Sequence, residues 1–144
     1  MQTRDQKYAA DVYERVKKIE ATPGDKAAKS YGSFAHKLPI LIRTAGLAQA
    51  LAFVEARGVE IKNSKEKKTG DLFLRDLAGT VGEQDAATLL RRVRTVELGE
   101  YIRLTQQVMD ALLWYKRFAQ SVLGVEQGDD EQAITDEGNN ADNI

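Results

Sequence analysis

Lys26, Lys29, Ser33 and Lys37 fall along one flank of a helical run near the start of the 144-residue chain, and Gly32 lies beside Ser33. At roughly 100° per residue, that spacing lines up three ammonium groups with a small-residue stretch where an extended anion could approach the backbone closely. The chemistry it suggests is phosphate binding, although a lysine stripe is also ordinary helix surface. Arg91, Arg92 and Arg94 cluster in the last turn of another helical run, where cations suit the helix dipole whatever the function. Further on, Trp114 stands on the polar side of a helix, just ahead of Lys116 and Arg117. A tryptophan there either packs against another helix of the same fold or awaits a partner, and the apolar run from Ala111 to Ala119 favours packing.

Catalytic constellations are scarce. His36 is the single histidine; it falls on the far side of the same helix as Lys29 with no carboxylate one turn away, so it reads as a surface histidine. No P-loop, GxGxxG, HExxH or paired-histidine spacing occurs. Acids are scattered singly through the body, and Asp129, Asp130 and Glu131 lie in a stretch too loose to preorganise a metal. Cysteine is absent, which excludes disulfides, thiolate metal sites and a cysteine nucleophile, and fits a reducing compartment. The expectation is a protein that is no enzyme and uses no cofactor or metal.

The elements that must carry these residues read as helices throughout. Thr3 and Gln6 form a capping-box pair ahead of Tyr8, Val12, Val16 and Ile19, one amphipathic helix ending before Thr22-Pro23-Gly24. Ala27, Tyr31, Phe34 and Leu38 give a second apolar face over about Asp25 to Lys37, and Pro39 is expected to turn the chain there. A short helix through Ile40, Leu41 and Ile42 would then break near Thr44-Ala45-Gly46. A fourth, alanine-rich helix should run from Leu47 to Arg57 with Gly58 as its stop. Residues 58–70 read as a mobile lysine-rich loop. Thr69 or Asp71 should cap a helix through Leu72, Phe73, Leu77 and Val81, and Asp85 another through Leu89, Leu90 and Val93. The longest helix spans about Leu98 to Leu123 and is expected to cover the proline corner.

The formal net charge of -1 hides an uneven distribution. Residues 124–144 hold seven acids and no Lys or Arg, which leaves 21 bases against 15 acids, a charge of +6, in residues 1–123. The fold expected is all-α: a compact single-domain bundle of about six to seven helices over residues 1–123, with a disordered acidic tail over 124–144. A basic body is compatible with a polyanion partner. Without a secretory leader or a long apolar run, the protein is expected to be soluble and cytoplasmic, with no membrane partner.

Two stretches, SYGSFAHKLPILIRTAGLAQALAFV and EYIRLTQQVMDALLWYKRFAQSVL, resemble the small helical subunit of the type III-B CRISPR effector, the Cmr complex. The resemblance covers about residues 4–57 and 98–123; the middle is compatible in length and helicity, and the acidic tail lies outside the pattern. It implies a small all-α protein without catalytic activity, stacked in several copies beside the repeating backbone subunits that hold the CRISPR RNA. Basic surface would contact the target RNA paired to that guide. Carried onto this chain, the matching positions are Lys29, Lys37 and Arg43 around the proline, and Lys116 and Arg117 after Trp114. Arg91, Arg92 and Arg94 are added on charge alone. The partners implied are other Cmr subunits, chiefly the backbone subunit, copies of the same chain, CRISPR RNA and target RNA. A competing reading is a pure scaffold that bridges protein subunits without touching RNA. A third, a small hydrolase, requires an activity that His36→Ala abolishes.

Overall fold

The computed structural model describes residues 1–21, 25–62 and 64–128. Among them are six helices and no strand: α1 (Arg4–Glu20), α2 (Asp25–Ala45), α3 (Leu47–Val54), α4 (Thr69–Thr80), α5 (Ala86–Thr95) and α6 (Leu98–Ser121). The capping box of α1 forms as expected, with Thr3 Oγ1 accepting from Gln6 N and Gln6 Oε1 accepting from Thr3 N. Asp85 caps α5 by accepting from Thr88 N.

The proline corner is not there. Helix α2 runs through Pro39 without interruption, and the break comes only at Gly46, whose φ of 89° suits glycine. An interior proline costs about 3 kcal/mol by deleting a hydrogen bond and crowding the preceding turn. Turning the chain there would uncover Phe34, Leu38 and Ile42, all buried and each worth about 1.5–3 kcal/mol. Burial therefore outweighs the local penalty.

Helix α2 is the centre of the molecule, packed against α1, α3, α4 and α6. It runs opposite to α6. Tyr31 faces Tyr115 with ring centroids 6.5 Å apart, while just beyond the other end of α2 the Tyr101 hydroxyl accepts from Ala48 N of α3 at 3.1 Å. Phe73 of α4 fills the junction, 5.0 Å from the Tyr31 ring and 5.1 Å from that of Tyr115. Around these rings lies a buried polar network. Asp76 Oδ2 accepts from the Tyr31 hydroxyl at 2.6 Å, and Oδ1 faces Arg15 at 3.4 Å and Arg75 at 3.3 Å. Thr80 Oγ1 lies 2.7 Å from both Tyr115 OH and Asp11 Oδ2, so it accepts from the tyrosine and donates onward.

The segment after α6 closes the last side of α2. Val125 N donates to Ala119 O at 2.9 Å, and the Val125 side chain is buried over Gly32. His36 Nε2 lies 2.8 Å from Val125 O and donates to it. Every residue from Ser30 to His36 is buried, and the exposed far face expected for Gly32, Ser33 and His36 does not exist. Ordered packing thus extends beyond Leu123; residues 129–144 of the expected tail lie outside the described residues.

A Cβ on Gly32 would meet three Val125 carbons at 2.8–3.0 Å. Gly32→Ala is expected to push Val125 out of its seat, which forfeits about 1.5–3 kcal/mol of burial against a helix-propensity gain of about 1. A net loss of about 0.5–2 kcal/mol in urea denaturation is the expected result. In a Val125→Gly background the same change should become neutral or stabilising; a loss of equal size there would refute the seat.

Two smaller differences concern helix ends. Helix α3 stops at Val54, short of Arg57, because Glu55 leaves the helix with a ψ of 131° and Ala56 then takes a left-handed φ of 61°. Neither Thr69 nor Asp71 caps α4, whose N-cap is Lys68. Their side chains instead hold the preceding turn: Thr69 Oγ1 accepts from Val59 N at 3.1 Å and Asp71 Oδ1 from Ala56 N at 2.9 Å. Residues 58–70 are tied across themselves as well, with Ile61 N donating to Lys67 O at 2.8 Å.

Candidate nucleic-acid interface

The basic residues singled out by sequence occupy three separate helices. On α2, Lys29 and Arg43 are exposed and Lys37 is half-buried. Ser33 is not beside them as a surface residue; it is buried and donates back to Lys29 O at 2.7 Å. What survives of the expected track is its lysines, with Lys29 three residues before the covered Gly32 and Lys37 directly after the covered His36.

On α5, Arg91 and Arg94 are exposed, but Arg92 has another task. It pairs with Glu83 in the turn after α4 and lies 3.5 Å from Glu100 in the first turn of α6. It clasps the two ends of the α5 segment. Local spacing carries no sign of this, because the partners lie nine and eight residues away on opposite sides.

Lys116 and Arg117 of α6 come together around an open hollow of about 400 Å³, whose lining includes Asp5, Leu113, Trp114 and Gln120. The Trp114 indole donates to Asp5 Oδ1 of α1 at 2.9 Å and stacks on Phe118 with centroids 5.6 Å apart. Phe118 in turn lies 5.4 Å from Tyr13 of α1. The Arg117 guanidinium carbon sits 5.7 Å from the centre of the Trp114 ring. Trp114 thus packs between helices of its own fold, as its apolar neighbours suggest, yet it remains half-buried. None of the α2 or α5 cations lines this hollow.

A second basic place has no counterpart in the sequence reading. Arg15 and Lys18 of α1, Lys62 of the α3–α4 connection and Arg75 of α4 surround a hollow of about 370 Å³. Arg15 also binds Asp11 at 2.8 Å, and Arg75 binds Glu66 at 2.7 Å, so these guanidiniums serve the fold first. Residues from three segments meet there, and no local spacing announces such a meeting.

Charge states in the interior follow from burial. Desolvation raises the Asp76 carboxyl above the usual aspartate range, although Tyr31, Arg75 and Arg15 pull the other way. Burial likewise pushes the Tyr31 and Tyr115 phenols well up, so both remain neutral donors. His36 is buried, and among the described residues its Nδ1 has no hydrogen-bond partner, contrary to the surface position expected. Among the described residues no group of His, Cys, Asp or Glu is arranged to hold a metal ion, and no helix is long and apolar enough to cross a membrane.

Residues 4–122 match the family model described as CRISPR-associated protein (Cas_Cmr5). A curated protein of Thermus thermophilus, named CRISPR system Cmr subunit Cmr5, is 43% identical over 123 residues, 85% of this chain and 98% of that protein. A crystal structure of a CRISPR-associated Cmr5 family protein, also from Thermus thermophilus, superposes with a TM-score of 0.73 at 40% identity, covering 85% of this chain and 98% of that one.

Proposed function

The chain belongs to the Cas_Cmr5 family of CRISPR-associated proteins, and from that premise we propose that it is the non-catalytic small subunit of a type III-B Cmr effector complex. Several copies stack along the repeating backbone subunits and lay basic surface on the phosphates of target RNA paired to the CRISPR RNA. The family match over residues 4–122 carries the assignment to the complex. The exposed cations Lys29, Arg43, Arg91, Arg94 and Arg117, with half-buried Lys37 and Lys116, support the RNA contact. Sequence is read by base pairing elsewhere in the assembly, so the subunit needs charges in register rather than base-reading side chains.

Phosphate contacts release counterions and make binding salt-dependent. In the assembled complex, replacing Lys37 and Arg117 with alanine is expected to weaken target binding with little sequence bias. The slope of log affinity against log salt should fall by about 0.7 for each phosphate that is no longer neutralised. An unchanged slope rejects these two positions.

One observation favours the scaffold reading. Leu98 and Ile102, one turn apart at the start of α6, are 73% and 60% exposed, an apolar pair suited to a protein neighbour. Crosslinking of the reconstituted complex separates the readings, since crosslinks confined to protein favour the scaffold and crosslinks to target RNA favour the phosphate surface.

A further inference from the structure

We propose that the hollow beside Trp114 receives one unpaired base of single-stranded RNA, with the adjoining phosphate held by Lys116 and Arg117. This rests on the RNA-binding reading and adds to it a contact that phosphates alone do not explain.

Two clusters of aromatic rings in the molecule are treated differently. Tyr31, Phe34, Phe73 and Tyr115 are closed off in the core. Tyr13, Phe118 and Trp114 form a second ladder, bridging α1 and α6 with centroid steps of 5.4 and 5.6 Å and ring planes inclined by only 32° and 29°. Its members remain partly open to solvent, and a cation stands at each end: Lys17 lies 6.0 Å from the Tyr13 ring centre and Arg117 lies 5.7 Å from that of Trp114. Rings flanked by cations at a surface are a combination that single-stranded nucleic acid binders use, with bases on the rings and phosphates on the charges.

The hollow fits one base better than other occupants. Leu113 is 60% exposed at its edge, an apolar contact for a flat ring. A volume of about 400 Å³ lies toward the lower end of small-molecule pockets, roughly 300–1,000 Å³, and is open rather than enclosed. The one acid in its lining among the described residues, Asp5, accepts from the indole and keeps its charge, so the rim carries two cations against one anion. Gln120 supplies a side-chain amide that can face the edge of a base. A duplex keeps its base faces stacked on one another and can offer this surface only its phosphates, so the base contact selects unpaired strand.

Trp114 is the only tryptophan in the chain, so its emission reports on the hollow directly. The 144-residue chain is titrated with a labelled ten-nucleotide oligouridylate and with an abasic oligomer of the same length and charge. Affinity is read by anisotropy and contact by tryptophan emission. The expected result is quenching by the oligouridylate alone, and about tenfold tighter binding than the abasic oligomer, as one stacked base supplies. Trp114→Leu should reduce that ratio to about one, and Leu113→Glu should lower it through the hollow's edge even if the tryptophan variant folds poorly. Equal affinities with unquenched emission overturn the stacking contact and leave the phosphate surface standing. Absence of salt-sensitive binding to either oligomer overturns both. Emission that responds only to added Cmr subunits assigns the hollow to a protein partner and overturns the proposal.

Discussion

Replacing Asp76 with alanine is expected to cost about 2–3 kcal/mol of folding free energy, read as a lowered urea midpoint with an unchanged m-value. The carboxylate is buried where α1, α2 and α4 meet, and it is the acceptor for the fully buried Tyr31 hydroxyl. Removing it leaves that hydroxyl without its partner, which costs about 1–3 kcal/mol. Breaking a buried ion pair commonly costs about 3–5 kcal/mol. Here the guanidiniums are not stranded, since Arg15 keeps Asp11 and Arg75 keeps Glu66, and the loss falls toward the lower figure.

The pH dependence at the same residue has a definite sign. Burial raises the carboxyl in the folded state, so Asp76 contributes stability that is present below the ordinary aspartate pKa and lost as pH rises through its raised folded value. Asparagine cannot titrate. Going upward in pH through that window, the wild-type protein should therefore lose stability relative to Asp76→Asn, and the difference should then level off. A wild type that gains on the variant over the same range would show that the arginines, not burial, govern this carboxyl.

Local periodicity makes the helices legible; what it cannot supply is the identity of their distant neighbours. Tyr8, Val12, Val16 and Ile19 repeat at helical spacing and are all buried, and Tyr31, Phe34 and Leu38 likewise. Pro39 misleads because its penalty is local, while the burial that overrides it is spread over the whole bundle. Gly32, Ser33 and His36 resemble a solvent face because small and polar residues usually form one. The cover over Gly32 and His36 comes from Val125, 89 residues beyond His36 and past the end of α6. The same limit applies to the candidate site. Lys116 and Arg117 stand next to each other in sequence and read together, whereas the hollow needs Asp5 from the opposite end of the chain. Thr69 and Asp71 are recognisable as side chains with backbone-binding chemistry, but their targets are the turn before α4 rather than the helix itself.

That turn is where a single methyl group should do most damage. Gly70 lies in the first turn of α4, and a Cβ there would come within 2.2 Å of Val54 O and 2.7 Å of Arg57 O. Both obstacles are backbone atoms and cannot swing aside. The Gly70 N–H also donates to Arg57 O at 2.9 Å, and Thr69 and Asp71 on either side hold Val59 and Ala56. Separating α4 from the end of α3 would stretch all three attachments, each worth about 1 kcal/mol, besides the overpacking cost of about 1–3. Alanine in a helix gains only about 1 kcal/mol over glycine. Gly70→Ala is thus expected to lose about 3 kcal/mol in chemical denaturation. Gly99, in the first turn of α6 with no atom within 4 Å of its added Cβ, is the internal control. Gly99→Ala should be neutral or stabilising by up to about 1 kcal/mol. If the two substitutions behave alike, α4 is not clasped to the 54–59 turn through Gly70, and the fit between α3 and α4 must be looser than these contacts require.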